Sequence, residues 1–250
     1  MKETLPQACQ EMIRAYFRLD FGEDREVACP YYQNKLSRKR MSATAEVGKG
    51  SPSEIIAETV ARAAVHGKGM RNASASEIRA FMKREGIGID CSGFAARALD
   101  PYVRERTGNS LGGVLISGAH SWWRKLLFRI RPFHNTDVMT LTDEKNCIPV
   151  SLREVRPGDL IRTRGGKHVL LVSQIERSSE GALLSLTYVH SSEAFGEESG
   201  VREGKIVIRA PQAGLEAQEW QEAWQGSLPS REGWLEKREN NGIFRLKSIM

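Results

Sequence analysis

Cys91, His168 and His190 are the residues of this sequence whose types and places suit nucleophilic chemistry. A thiol attacks a carbonyl as the thiolate, and a helix N-terminus favours that form through its unpaired N–H groups and its dipole. Asp90 is a good N-cap and puts Cys91 in the first turn of a helix. Gly93 leaves room for a substrate to approach the backbone, and the Cys91 N–H is placed to meet a developing oxyanion. His168 opens a strand after the turn-like Arg164-Gly165-Gly166-Lys167. If the following hairpin turns about Ser179, His168 and His190 are equidistant from the turn and stand opposite each other on one face. Taken singly, such a cysteine is more often packing and such a histidine more often structural. Together they supply a nucleophile, a base and an orienting group.

The elements that must position these residues have readable signals. Residues 12–21 have helical spacing of apolar side chains. Ser51-Pro52-Ser53-Glu54 and Ser74-x-x-Glu77 are capping boxes that open two supporting helices. The helix carrying Cys91 extends over 94–103 and breaks near Pro101. Strands are expected at 160–163, 168–175, 183–189, 205–209 and 243–246, between glycine-rich turns. Helices first and an antiparallel meander second make an α+β fold. One elaborated domain spans 1–250. It comprises an N-terminal helical extension (1–73), a core (74–210) with an insertion at about 104–150, and a C-terminal extension (211–250) ending in a strand.

With 40% apolar and 27% charged residues, the composition is that of an ordinary globular chain rather than a disordered one. The net charge of +6 is spread over many segments and reads as a solvated basic surface, including Arg38-Lys39-Arg40. Nucleic acid is not an expected partner. The four cysteines are too far apart for a zinc site or a disulfide framework, so no metal and no cofactor are expected. The start of the sequence has no apolar signal region and no stretch is long enough to span a membrane, so the expected location is cytoplasmic. The aromatic and basic segment 120–131 is expected to be amphipathic and packed on the domain. Trp220 and Trp224, near helical spacing, are expected to form one apolar face. Cys29-Pro30-Tyr31-Tyr32 is assigned no chemistry.

Ile89-Asp90-Cys91-Ser92-Gly93-Phe94 resembles the nucleophile motif of the NlpC/P60 cysteine peptidases. Val155-Arg156-Pro157-Gly158-Asp159-Leu160 is similar to the strand start that precedes the base of that family, and His168-Val169 follows it. Tyr188-Val189-His190-Ser191-Ser192 resembles the segment carrying the family's third polar residue, and Gly200-Val201-Arg202 the turn after it. These motifs fall in family order over residues 86 to about 208. The chain thus looks like a divergent member that lacks the family's tyrosine just ahead of the cysteine. The resemblance implies a papain-like core with helices packed on an antiparallel sheet, and hydrolysis of an amide in a peptide or muropeptide-like substrate through a thioester. Cys91 would be the nucleophile, His168 the base and His190 the orienting residue. Asp90 and Ser92 would bind the amine or amide of the substrate. The rival readings are a binding module that has lost the chemistry, and an acyltransferase or deamidase using the same triad.

Overall fold

The computed structural model of the chain describes every residue except 33–47, 68, 71, 119–121, 123–125, 127, 129, 225–227 and 237–238. The basic run Arg38-Lys39-Arg40 and most of the segment 120–131 therefore lie outside the described residues. Within that segment Phe128 is buried, while Trp122, Leu126 and Ile130 are exposed.

In chain order the first half contains strand β1 (Lys2–Thr4), helix α1 (Gln7–Phe17), the short strands β2 (Leu19–Asp20) and β3 (Glu26–Val27), and helices α2 (Pro52–Val65), α3 (Ala75–Glu85) and α4 (Cys91–Thr107). Single turns α5 (Leu111–Val114) and α6 (Val138–Leu141) follow. The second half is mostly strand: β4 (Cys147–Val150), β5 (Leu160–Thr163), β6 (His168–Arg177), β7 (Leu183–Ser192), β8 (Gly200–Val207), β9 (Glu219–Trp220), β10 (Ala223–Trp224) and β11 (Leu228–Pro229). Helix α7 (Ser230–Leu235) and strand β12 (Gly242–Leu246) complete it. This is a mixed α+β chain with one large antiparallel sheet ordered β4-β12-β5-β6-β7-β8-β9, with β1 also paired to β6.

Local chemistry sets the helix starts. Ser51 and Ser74 each accept from the N–H three residues on, while Glu54 and Glu77 reach back to the cap N–H. Helix α3 stops at Gly86, whose φ of 69° belongs to the left-handed region that glycine enters without a Cβ clash.

Helix α4 is longer than its sequence suggests, because it runs through Pro101 to Thr107. Proline removes one backbone donor there, but Ala98, Leu99 and Val103 around it are fully buried. That packing holds the helix together across the gap.

The sheet is covered on both faces, as its alternating residues require. Leu160, Val169, Leu171 and Val189 pack with α1, α3 and α4 in one core. Ile161, Leu170, Val172, Leu186 and Tyr188 face a second core closed by Leu215, Trp220 and Trp234 from the C-terminal segments. Trp220 and Trp224 lie on short strands, not on one helix face as their spacing suggested. Gly200-Val201-Arg202, expected as a turn, begins β8 and pairs with Ser192, Ser191 and His190. A strand start there completes the ladder beside β7, which a turn would leave unpaired. No helix among the described residues is long and apolar enough to cross a membrane.

Candidate active site

Cys91 occupies the first turn of α4, and the Asp90 carboxylate caps that turn by accepting from Gly93 N–H at 2.7 Å. Cys91 is only 5% exposed. Burial first, and then the Asp90 charge, raise its pKa to about 12. Lys49 and the backbone N–H groups of Val169 and Ser92 act the other way. The sulfur therefore sits against the backbone of β6, at the residue next to His168. The helix terminus favours the thiolate, as the sequence suggests, but burial outweighs it and the resting sulfur is a thiol.

His168 and His190 meet. His168 Nε2 and His190 Nδ1 are 3.1 Å apart and both rings are buried. The register differs from a hairpin centred on Ser179. Leu171 pairs with Val189, and two irregularities interrupt the ladder towards the turn. Alternation then sets Leu170, not His168, level with His190. The offset is two residues, so both histidines keep the same face and touch diagonally. An odd offset would have put one of them on the other side of the sheet.

The cluster contains a carboxylate that sequence reasoning missed. His190 Nε2 is 3.0 Å from Glu222 Oε1, and Tyr188 Oη donates to Glu222 Oε2 at 2.6 Å. Arg202 Nε donates to Glu222 Oε1 at 3.3 Å. Burial works to raise the Glu222 pKa, but these partners outweigh it and the carboxyl is held below its ordinary range. An ionised Glu222 only accepts, so His190 Nε2 carries a proton and donates to it. With that proton on Nε2, the Nδ1 of His190 accepts when His168 Nε2 donates. By this chain of assignments His168 Nδ1 is left bare, as a base must be. Burial first, then His190 and Arg164, push the His168 pKa well below 6.5, so the imidazole is neutral at rest.

Trp234 of α7 closes this cluster. Its ring stacks on His168 at 4.6 Å and 12°, and meets His190 edge-on at 5.1 Å. The backbone of Trp234 is tied to the turn before His168, since Arg164 N donates to Trp234 O at 2.9 Å. On the other flank Ser191 Oγ donates to Ile89 O at 2.7 Å, which joins β7 to the approach to Cys91.

Asp90 and Ser92, expected to hold a substrate amine or amide, are engaged within the chain. Lys49 Nζ donates to Asp90 Oδ1 at 2.7 Å and to Ser92 Oγ at 2.5 Å. The space beside Gly93 is likewise taken by the chain itself, because a Cβ there would lie 2.4 Å from Gly48 O. Tyr31 also belongs to the site. Its backbone bridges to Ile89. Burial, then Cys91 and Asp90, raise its phenol pKa, so the hydroxyl stays protonated. The motif Pro157-Gly158-Asp159 is structural: Asp159 accepts from Arg245 Nε and Nη2 at 2.7 and 2.8 Å and from Arg156 N.

Among the described residues no group of three or more His, Cys, Asp or Glu is arranged to hold a metal ion. A cavity of about 810 Å³ is bordered by Leu152, Leu215, Glu232 and Ile243. It shares α7 with the site but includes none of Cys91, His168, His190 and Glu222, and their geometry is the better guide to chemistry. No family model matches the chain, and neither a curated protein nor a solved structure does.

Proposed function

We propose that this chain is a cysteine hydrolase of the papain-like, NlpC/P60 kind that cleaves an amide bond in a peptide or muropeptide-like substrate. The observation that carries this reading is the buried series His168–His190–Glu222, with hydrogen bonds of 3.1 and 3.0 Å, which begins one residue along β6 from Val169, whose backbone N–H acts on the helix-capped thiol. Such a series fixes the tautomer of the base and stabilises the imidazolium formed in the reaction.

Cys91 gives its proton to His168 Nδ1 as the sulfur attacks the amide carbon. The negative charge that develops on oxygen lies near the N–H groups of Cys91 and Ser92, which begin α4 and have no intrahelical acceptor. His168 returns the proton to the departing amine, leaving a thioester on Cys91. It then takes a proton from water, whose oxygen attacks the thioester and releases the acid and the free thiol. His190 and Glu222 hold the base and share its transient charge.

An intact relay supports an enzyme over a binding module. Incubation with a panel of peptide amides and muropeptides tests the reading. The parent turns over at least one class, and Cys91→Ala turns over none while keeping its fold. Activity retained in Cys91→Ala would refute it.

A further inference from the structure

We propose that Lys49 is a positioning residue for the nucleophile, a built-in counter-ion that neutralises the Asp90 cap beside Cys91 and closes Asp90 to a cationic substrate group. The inference rests on the reading of Cys91 as nucleophile.

A lysine this deep in a protein needs a reason, because an ammonium leaves water only at a cost that a partner must offset. The Lys49 side chain is 6% exposed and its ammonium contacts Asp90 Oδ1 and Ser92 Oγ. Its backbone is fixed on both sides. Gly48 O accepts from Asp90 N at 3.0 Å, Lys49 O from Arg97 Nε at 2.9 Å, and Gly50 O from Tyr16 Oη at 2.7 Å. The missing Cβ of Gly93 is what lets this strap lie against α4. The ammonium is thus delivered to one place by a rigid backbone.

The place matters because the cap of α4 is an acid. Asparagine or serine caps a helix about as well as aspartate does. An uncompensated carboxylate next to Cys91 opposes the thiolate on which attack depends. Lys49 cancels that charge and leaves the positive field of the helix terminus at the sulfur. Among the described residues, the other titratable group acting with the thiol is Tyr31 from the segment after β3, while His168, on which Arg164 acts, is next in β6 to Val169, whose N–H meets the sulfur. With Lys49 on Asp90 Oδ1, which also accepts from Ser92 Oγ and Gly93 N, that oxygen of the acid is occupied and its charge is paired. The site then suits an amide whose acyl side brings no free ammonium to Asp90.

The test is the second-order rate of Cys91 alkylation by iodoacetamide at pH 8, read by peptide mapping of the full chain. Parent, Asp90→Asn, Lys49→Met and the double variant are compared. A one-unit change in thiol pKa alters the thiolate fraction tenfold, and the opposing change in nucleophilicity leaves a net effect of about threefold. Asp90→Asn should react about threefold faster than the parent and Lys49→Met about threefold slower, with the double variant within twofold of the parent. Should Lys49→Met fail to fold, the other two variants still decide, because a merely structural Lys49 predicts that the double variant reacts as fast as Asp90→Asn, and that result overturns the proposal. An unchanged rate in Asp90→Asn, or single variants that shift in the same direction, overturns the proposal. A Cys91 that no variant alkylates at any pH overturns the nucleophile reading instead.

Discussion

Replacing Glu222 with glutamine keeps the size and most hydrogen-bonding capacity of the side chain but removes its charge. In the proposed reaction Cys91 transfers its proton and His168 becomes an imidazolium in a buried site, and Glu222 is the carboxylate aligned with it through His190. The charges are roughly 8 Å apart once the His190 ring is included, and an effective dielectric of about 20 gives ~2 kcal/mol. Arg202 on the same carboxylate oxygen reduces this, so a loss of about ten- to thirtyfold is expected from charge alone. The amide adds a second penalty, because it can donate to His190 Nε2 and reverse both tautomers, which would put a proton on the His168 nitrogen meant to act as base. The assay is the rate of Cys91 alkylation at pH 7 alongside kcat/KM on the best substrate of the panel, with Tm to check the fold. A folded Glu222→Gln protein within threefold of the parent in both would refute the relay.

The histidines should separate in activity. His190→Asn retains turnover within about a hundredfold of the parent, whereas His168→Asn is as inactive as Cys91→Ala, since an amide orients a ring but takes no proton. Stability should fall with acidification below pH 6.5. Unfolded His168 binds a proton there that the folded, depressed group does not, a loss of up to about 1.4 kcal/mol per pH unit that His168→Asn abolishes in denaturant titrations. Trp234→Ala should cost about 3–5 kcal/mol in chemical denaturation by emptying the space against both histidines, and Trp234→Phe should recover most of it. Asp159→Ala strands the Arg245 guanidinium and should cost about 3–5 kcal/mol, with little change in Cys91 alkylation if the protein folds.

The parts of the site readable in the sequence are those set by short-range chemistry. Both capping boxes form where Ser51 and Ser74 announce them, and Asp90 caps the helix that begins at Cys91. The strands carrying His168 and His190 begin or end near their expected positions, and the two rings meet despite a register displaced by two residues. Parity survived because a burial pattern of period two fixes the face more firmly than the turn fixes the offset. What escaped the sequence is long-range. Glu222 comes from 32 residues beyond His190 and Lys49 from 41 residues before Asp90, and neither lies in a periodic pattern. Tyr31 reaches the site by a backbone bridge to Ile89, from a part of the sequence far ahead of the cysteine motif. One faint signal existed: an acidic cap next to a candidate thiol calls for a cation, and Lys49, between two glycines, is a cation on a backbone able to approach closely.

The most direct measurement is intact-protein and peptide-level mass spectrometry of the chain incubated with the peptide amide and muropeptide panel, quenched in acid. The account predicts an acyl adduct on Cys91 with at least one substrate class, loss of that adduct in Cys91→Ala, and none in His168→Asn. Hydrolysis that proceeds in Cys91→Ala, or an acyl adduct on Cys9, Cys29 or Cys147 instead, would contradict it.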